Sequence, residues 1–177
     1  MKLKTRQVIH AGLLVAISVV LTRFASFMLA GNTIRVTFGT IPIYIAGLLF
    51  GPAVGGLVGG VSDFLGVTIN NFGSIPAPHL LLASVARGVI PPLVVRVLGN
   101  NDRNMHIKVV AAIVMTELVS GLWLTTWGLA WINNVPFMVL LPTRAIALVI
   151  QIPVYSMFTY AMIAKLRFYV TLHQVGR

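Results

Sequence analysis

Residues 39–66, GTIPIYIAGLLFGPAVGGLVGGVSDFLG, form the stretch that decides how this chain folds. Glycines recur in it every four residues, at Gly47, Gly51, Gly55 and Gly59. On a helix this spacing leaves a strip of bare backbone on one face, which a second helix can approach closely. Pro52 interrupts the apolar run, and Asp63, one of only three acidic residues, stands near its far end. The pattern predicts a tightly packed, broken hairpin that contributes one carboxylate to a membrane-embedded binding site.

The composition excludes a soluble domain. Hydrophobic residues make up 58% of the chain and charged residues 9%, whereas soluble domains contain about 25% charged residues. The net charge of +10 therefore indicates cytoplasmic loops that obey the positive-inside rule, and we predict no nucleic-acid partner. The basic, then apolar N-terminus lacks a small-residue cleavage site, so we interpret it as a first span.

The apolar segments predict an all-α membrane protein with a single domain, residues 1–177. The predicted spans are residues 8–29, a broken pair at 38–50 and 53–67, and residues 80–98, 109–131 and 137–164. A turn at Gly51 and Pro52 separates the two short arms. Lys2, Lys4, the basic loop at 99–108 and the basic tail predict that both termini are cytoplasmic. Cytoplasmic termini require an even number of crossings, so we predict six transmembrane helices.

Three arginines lie within the predicted spans, at Arg23, Arg87 and Arg144. An embedded arginine costs at least about 2.5 kcal/mol at the centre of a span, so each needs a compensating partner. Arg23 and Arg144 can extend to the interface, and Arg87 can pair with Asp63 or Glu117. Because these two carboxylates face three guanidinium groups, the sequence also predicts a small anionic ligand that enters from outside. Asp63 is then available to a donor-rich group of that ligand.

Other candidate ligand contacts lie near the predicted outer ends of the helices. Trp123 and Trp127 can form a stacking surface for a flat ring, or they can belong to an aromatic belt at the membrane interface. His79 can donate a hydrogen bond to a ligand or cap the preceding loop. Thr37 lies where the glycine-rich stretch meets the outer loop.

The sequence contains no pattern that indicates catalysis. Metalloprotease, serine-hydrolase and P-loop patterns are absent, and the four histidines are scattered. We therefore predict that the chain is not an enzyme, that it binds no metal, and that it carries no cofactor. Any use of ATP must come from a partner.

Four stretches resemble the substrate-binding S components of energy-coupling factor (ECF) vitamin transporters, and the folate-specific type most closely. They are residues 11–24, residues 35–66, the Pro78-His79 segment and residues 141–148. The resemblance implies a six-helix protein of the bacterial plasma membrane that binds its vitamin from outside. It also implies a transmembrane coupling protein and two ATPase subunits as partners, which hydrolyse the ATP.

The resemblance also implies a docking surface, while charge and position suggest how a ligand is held. Family members usually carry a small-residue AxxxA motif on the first helix, which packs on the coupling protein, and its counterparts here are Ala11, Gly12 and Ala16. Folate suits the embedded charges, because its glutamate tail offers two carboxylates to Arg23 and Arg144 and its pterin offers donors to Asp63. The alternatives are another vitamin, such as riboflavin or thiamin, and a stand-alone carrier or small channel without an ATPase partner.

Overall fold

The computed structural model describes residues 5–29, 34–69, 78–99 and 105–175. Within them the elements are α1 (Thr5–Phe24), β1 (Ser26–Leu29), β2 (Ile34–Thr37), α2 (Thr40–Phe50), α3 (Pro52–Ile69), α4 (Pro78–Val97), α5 (Met105–Thr116), a π-helical segment (Glu117–Leu124), α6 (Thr125–Asn133) and α7 (Phe137–Val175). Some predictions fall outside the described residues. They concern Lys2 and Lys4, the predicted loop before the span at residues 80–98, of which residues 70–77 are not described, and residues 100–104 of the basic loop.

Within the described residues, five helices are long and apolar enough to cross a membrane: Gln7–Phe24, Pro52–Ile69, Pro78–Val97, Met105–Ile132 and Phe137–Lys165. The fourth of these runs without a break through α5, the π segment and α6. The sixth apolar helix, α2, has 11 residues and is about 16 Å long at 1.5 Å per residue. The helical architecture is thus confirmed, and so is the prediction that residues 38–50 are too short for a straight crossing.

The first span is shorter than predicted. We expected a helix over residues 8–29, but α1 ends at Phe24 and residues 26–29 form a strand that pairs antiparallel with β2. Phe38 closes this hairpin by donating its backbone N–H to the Ala25 carbonyl at 3.2 Å. The backbone groups of such an apolar run can form their hydrogen bonds in a helix or in a hairpin. Only pairing with another segment decides between the two.

Glycines join α2, α3 and α4 into one tightly packed unit, as the spacing predicts. A side chain on Gly88 of α4 would collide with the backbone of Gly55, and one on Gly47 or Gly55 would collide with the Gly88 carbonyl. Gly59 meets the backbone of Ser84 in the same way. The α3–α4 interface is the most extensive between any two elements. We call this surface the glycine seam; it holds α3 and α4 at backbone distance.

The short helix α2 lies at the centre of the molecule. Its first eight residues, from Thr40 to Gly47, are all buried, as expected for a helix that is apolar on every side. The turn at Gly51 has a φ of +92°, which glycine adopts without strain. Ser18 of α1 secures the other end by donating its hydroxyl to the Gly39 carbonyl at 2.7 Å. The helices that surround α2 place their polar side chains next to it.

Candidate ligand-binding site

The centre of the site is a buried carboxylate on the π segment. Glu117 is fully buried, and its Oε1 atom accepts a hydrogen bond from the hydroxyl of Tyr44 on α2. The Nε atom of Arg87 on α4 lies 3.7 Å from the same oxygen. This confirms the prediction that Arg87 pairs with an embedded carboxylate. Because Arg87 Nε has no hydrogen-bond partner among the described residues, the contact is electrostatic and not a closed bidentate pair.

A second carboxylate lies on α3. Asp63 lies close to the side chain of Ser84 and within electrostatic range of Arg87 and Arg23. Arg23 reaches this region from α1, because its Nη2 atom would be 3.6 Å from a Cβ on Gly66, one turn after Asp63. Two guanidinium groups and one hydroxyl therefore surround this carboxylate.

Arg144 on α7 completes the group of charges. It is partly buried, and the charge that acts on it is a second cation, Arg87. Within residues 5–29, 34–69, 78–99 and 105–175, Arg144 forms no ion pair. Tyr155, also on α7, is buried and lies within the fields of Glu117 and Arg87. We call Arg23, Asp63, Arg87, Glu117 and Arg144, together with Tyr44 and Tyr155, the polar cluster.

The polar cluster draws on six helical units, and its guanidinium groups outnumber its carboxylates by three to two. An excess cation in a low-dielectric site is costly unless an anion is present. The arrangement can therefore bind a small anion, with Arg144 as the least compensated of the cations.

The π-helical turn positions Glu117. Its widened turn is closed by Thr125, whose hydroxyl donates to the Ser120 carbonyl at 2.6 Å. Glu117, Ser120 and Gly121 are all buried, so the segment presents a polar face to the bundle. Single π turns inside α-helices occur often at functional sites.

Thr37 lies beside the polar cluster, but its hydroxyl binds a backbone group two residues further along the chain. Its hydroxyl accepts the Gly39 N–H at 3.3 Å. The Tyr155 hydroxyl lies close to the Thr37 backbone and to the Thr40 side chain. These contacts join β2, the start of α2 and α7, and so they connect the hairpin to the polar cluster.

The predicted aromatic contacts form a separate group around the start of α4. The His79 ring lies edge-on to Trp127 and Trp131, at centroid distances of 5.4 and 4.9 Å. His79 is in the first turn of α4, and its Nε2 atom is buried without a hydrogen-bond partner among the described residues. Trp123 and Trp127 are 66% and 58% exposed. Their outward orientation favours the aromatic belt over a stacking surface inside the bundle.

The predicted docking residues lie on α1. Gly12 and Ala16 are exposed, and nothing lies within 4 Å of a Cβ built on Gly12. Large apolar side chains next to them are also exposed, at Ile9, Leu13, Ile17 and Val20. Ala11, in contrast, packs inward against the buried cluster of Ile43, Ala46, Val54 and Val58. The open face of α1 therefore contains Gly12 and Ala16 but not the Ala11 side chain.

Two members of the polar cluster had no signal in the sequence. Tyr44 stands within an apolar run, and Tyr155 lies within the last span, so neither is distinguishable there from a packing residue. Glu117 was visible as an embedded carboxylate, but only as a partner for Arg87. Its second oxygen distinguishes Glu117 from a simple ion-pair partner, because that oxygen has no hydrogen-bond partner among the residues described.

The arrangement of the helices agrees with the family and the solved structures that the chain matches. The family of the ECF-type riboflavin transporter, S component, matches residues 2–167. The chain therefore belongs to this family of transporter S components and is a multi-pass membrane protein. The family consists of transporter subunits, which confirms that the chain is not an enzyme.

One relative and two solved structures are also similar to this chain. The folate transporter FolT of Clostridium novyi (strain NT) is 28% identical over 157 residues, which cover 89% of this chain and 87% of the relative. A crystal structure of FolT bound with folic acid superimposes with a TM-score of 0.69 and 23% identity, covering 90% of this chain and 93% of that one. The S component of a bacterial ECF transporter gives a TM-score of 0.69 at 20% identity, covering 93% and 97%. The two solved structures confirm the S-component fold.

Proposed function

We propose that this chain binds folate from the outer side of the membrane with high affinity and delivers it as the S component of an ATP-driven ECF transporter. The observation that carries the proposal is Arg144, a partly buried cation that forms no ion pair among the described residues. A ligand carboxylate supplies the missing counter-charge, and arginine binds carboxylates through two parallel hydrogen bonds. Folate carries two carboxylates on its glutamate tail, one for Arg144 and one for Arg23.

Riboflavin is the alternative that the family's name raises. Its ring system is neutral, so it leaves the excess positive charge of the polar cluster without a partner. Thiamin is a cation and adds to that excess. The relative from Clostridium novyi is a folate transporter. This agrees with the argument that the excess positive charge needs an anionic ligand.

We propose that the chain crosses the membrane six times with both termini in the cytoplasm. Five helices have the length for a crossing. The sixth crossing consists of the inward-running strand β2 followed by α2, whose 11 residues span only about half of the hydrocarbon core. Irregular backbone is tolerated at membrane depth where other elements bury it, and Phe38 and Gly39 lie between α1 and α7. Half-length helices of this kind are typical of transporter binding sites.

We propose that the partners are a transmembrane coupling protein and two ATPase subunits. Gly12 and Ala16 on the open face of α1 are the docking residues, because small residues let the backbone of a partner helix come close. The chain itself contributes no cofactor, and the ATPase subunits hydrolyse the ATP.

Ligand binding tests the proposal directly. The purified chain in detergent is titrated with labelled folate, riboflavin and thiamin, and native mass spectrometry identifies any ligand retained from cells. We expect tight binding of folate alone. Tight binding of riboflavin with no binding of folate would assign the chain to the other vitamin.

A second experiment separates the S component from a stand-alone carrier. The chain is purified from its native membrane and examined for a co-purifying coupling protein, and the chain alone is tested for folate uptake into liposomes. We expect association with the coupling protein and no uptake by the chain alone. The reverse pair of results would favour the carrier.

A further inference from the structure

Glu117 stands out among the groups of the polar cluster. It lies near the middle of the apolar helix Met105–Ile132 and is fully buried. A carboxylate at this depth is costly unless hydrogen bonds and counter-charges satisfy both of its oxygens. The partners of the two oxygens therefore show whether groups of the protein alone stabilise the buried carboxylate.

The two carboxylate oxygens of Glu117 differ. Oε1 accepts the Tyr44 hydroxyl and lies 3.7 Å from Arg87 Nε. Oε2 is buried and has no hydrogen-bond partner in the part of the chain that the structure describes. Buried polar atoms in folded proteins seldom lack a partner. A donor from outside the protein would complete this carboxylate.

Asp63 provides the contrast. Its carboxylate lies close to the Ser84 side chain and in the fields of Arg87 and Arg23. Among the described residues, Glu117 has a buried oxygen without a hydrogen-bond partner, whereas Asp63 has none. The sequence led us to assign the ring donors of the ligand to Asp63, but the geometry favours Glu117.

The surroundings of Oε2 restrict the donor. Gly121 lies directly against it, and a side chain there would collide with the carboxylate. Leu148 of α7 is also close, its Cδ2 atom 3.3 Å from a Cβ on Gly121. Only a thin donor, such as the edge of a flat ring, can approach an oxygen enclosed in this way. Because the polar cluster already has more cations than anions, the donor that completes it is a neutral N–H group and not a further cation.

We propose that Glu117 Oε2 accepts a hydrogen bond from an N–H group on the edge of the ligand's heterocyclic ring, so that Glu117 recognises the donor pattern of the pterin. This inference rests on the proposed function, because it takes folate as the ligand. It separates two tasks: the arginines bind the tail, and Glu117 recognises the ring. Tyr44 holds the carboxylate in place through the other oxygen.

Two ligands and two variants test this inference. Purified wild-type chain, Glu117→Gln and Asp63→Asn are titrated with folate and with p-aminobenzoyl-glutamate, which keeps the tail but lacks the pterin. We expect Glu117→Gln to weaken folate binding roughly 10- to 100-fold, the usual effect of losing a charge-assisted hydrogen bond. Binding of p-aminobenzoyl-glutamate should change less than about twofold. Asp63→Asn, the matched control, should change the affinity for both ligands by the same factor.

The wild-type protein provides a test that does not depend on the folding of a variant. A folate analogue whose amino and ring N–H donors have been removed should bind wild type roughly 10- to 100-fold more weakly than folate. Glu117→Gln should show no such difference between the two ligands. Equal affinity of wild type for both would overturn the inference, and so would an equal loss of folate and p-aminobenzoyl-glutamate in Glu117→Gln. If wild type binds no folate at all, the proposed function fails instead.

Discussion

The glycine seam and the polar cluster occupy neighbouring parts of the same helices and are built in opposite ways. In the glycine seam, Gly55 and Gly88 bring two backbones together and no side chain is needed. In the polar cluster, long side chains meet, and some of their atoms are left without partners among the described residues. The first region is complete in the protein alone, whereas we propose that a ligand completes the second. Stability and binding should therefore respond to different substitutions.

The largest effect is expected at the centre of the glycine seam. In Gly88→Leu the new side chain would collide with the backbone of Gly55, which cannot move without separating α3 from α4. We expect a loss of about 3 kcal/mol or more, or failure to fold. Thermal unfolding in detergent and the yield of monodisperse protein measure the effect.

Gly12→Leu is the matched control for this substitution. It introduces the same side chain on a helix of the same bundle, but nothing lies within 4 Å of the new Cβ. Its melting temperature should equal that of wild type. Equal stability of Gly88→Leu and Gly12→Leu would show that the seam does not hold α3 and α4 together.

The next largest effect is expected at Arg144. Arg144→Ala removes the least compensated cation of the polar cluster, so folate should bind roughly 10- to 100-fold more weakly. The melting temperature without ligand should stay the same or rise, because the repulsion between Arg144 and Arg87 is lost. Arg96→Ala, at an exposed position on α4, serves as the control and should bind folate like wild type. Unchanged affinity in Arg144→Ala would remove the charge argument for an anionic ligand.

A smaller effect is expected at Tyr44. Tyr44→Phe removes the hydrogen bond to Glu117 Oε1 and leaves the ring in its buried place. Loss of a buried hydrogen bond to a charged group costs about 1.5–3 kcal/mol. We expect a lower melting temperature together with weaker folate binding, since Glu117 loses its support. Tyr160→Phe, on an exposed side chain, is the control, and a similar loss in both variants would argue against a specific role for Tyr44.

The smallest effect on the isolated protein is expected on α1. Gly12→Leu and Ala16→Leu should keep wild-type folate affinity and stability, because both positions are exposed. In cells they should reduce folate uptake, because the added bulk keeps a partner helix away from α1. Uptake of labelled folate and co-purification of the coupling protein measure the effect. If binding and uptake fall together, the Gly12–Ala16 face of α1 is not a docking surface.

The comparison also shows which features the sequence could predict. The regular spacing of glycines predicted a close helix interface, because the periodicity of a helix converts spacing directly into position. The arginines predicted an anion site, because charge in a membrane requires compensation wherever the helices lie. The end of α1 at Phe24 could not be predicted, since residues 26–29 form a strand only through their pairing with residues 34–37.

The partners of individual side chains were also beyond the sequence. Tyr44 and Glu117 are 73 positions apart, and nothing in either local pattern indicates that they meet. The same holds for Ala11 and Gly12, which are adjacent in the sequence but face the core and the exterior. Such assignments depend on the rotation of each helix about its axis, which is set by the packing of the complete bundle.

The sequence by itself determined that this chain is a membrane protein, that its helices pack through glycines, and that it holds more embedded cations than anions. These properties follow from composition and periodicity, which do not depend on how distant segments meet. Only the tertiary structure decided that one oxygen of Glu117 has a hydrogen-bond partner while the other has none among the described residues, and that Arg144 forms no ion pair there. The physical reason is that hydrogen bonding and charge compensation depend on distances of a few ångströms between residues that are far apart in the chain.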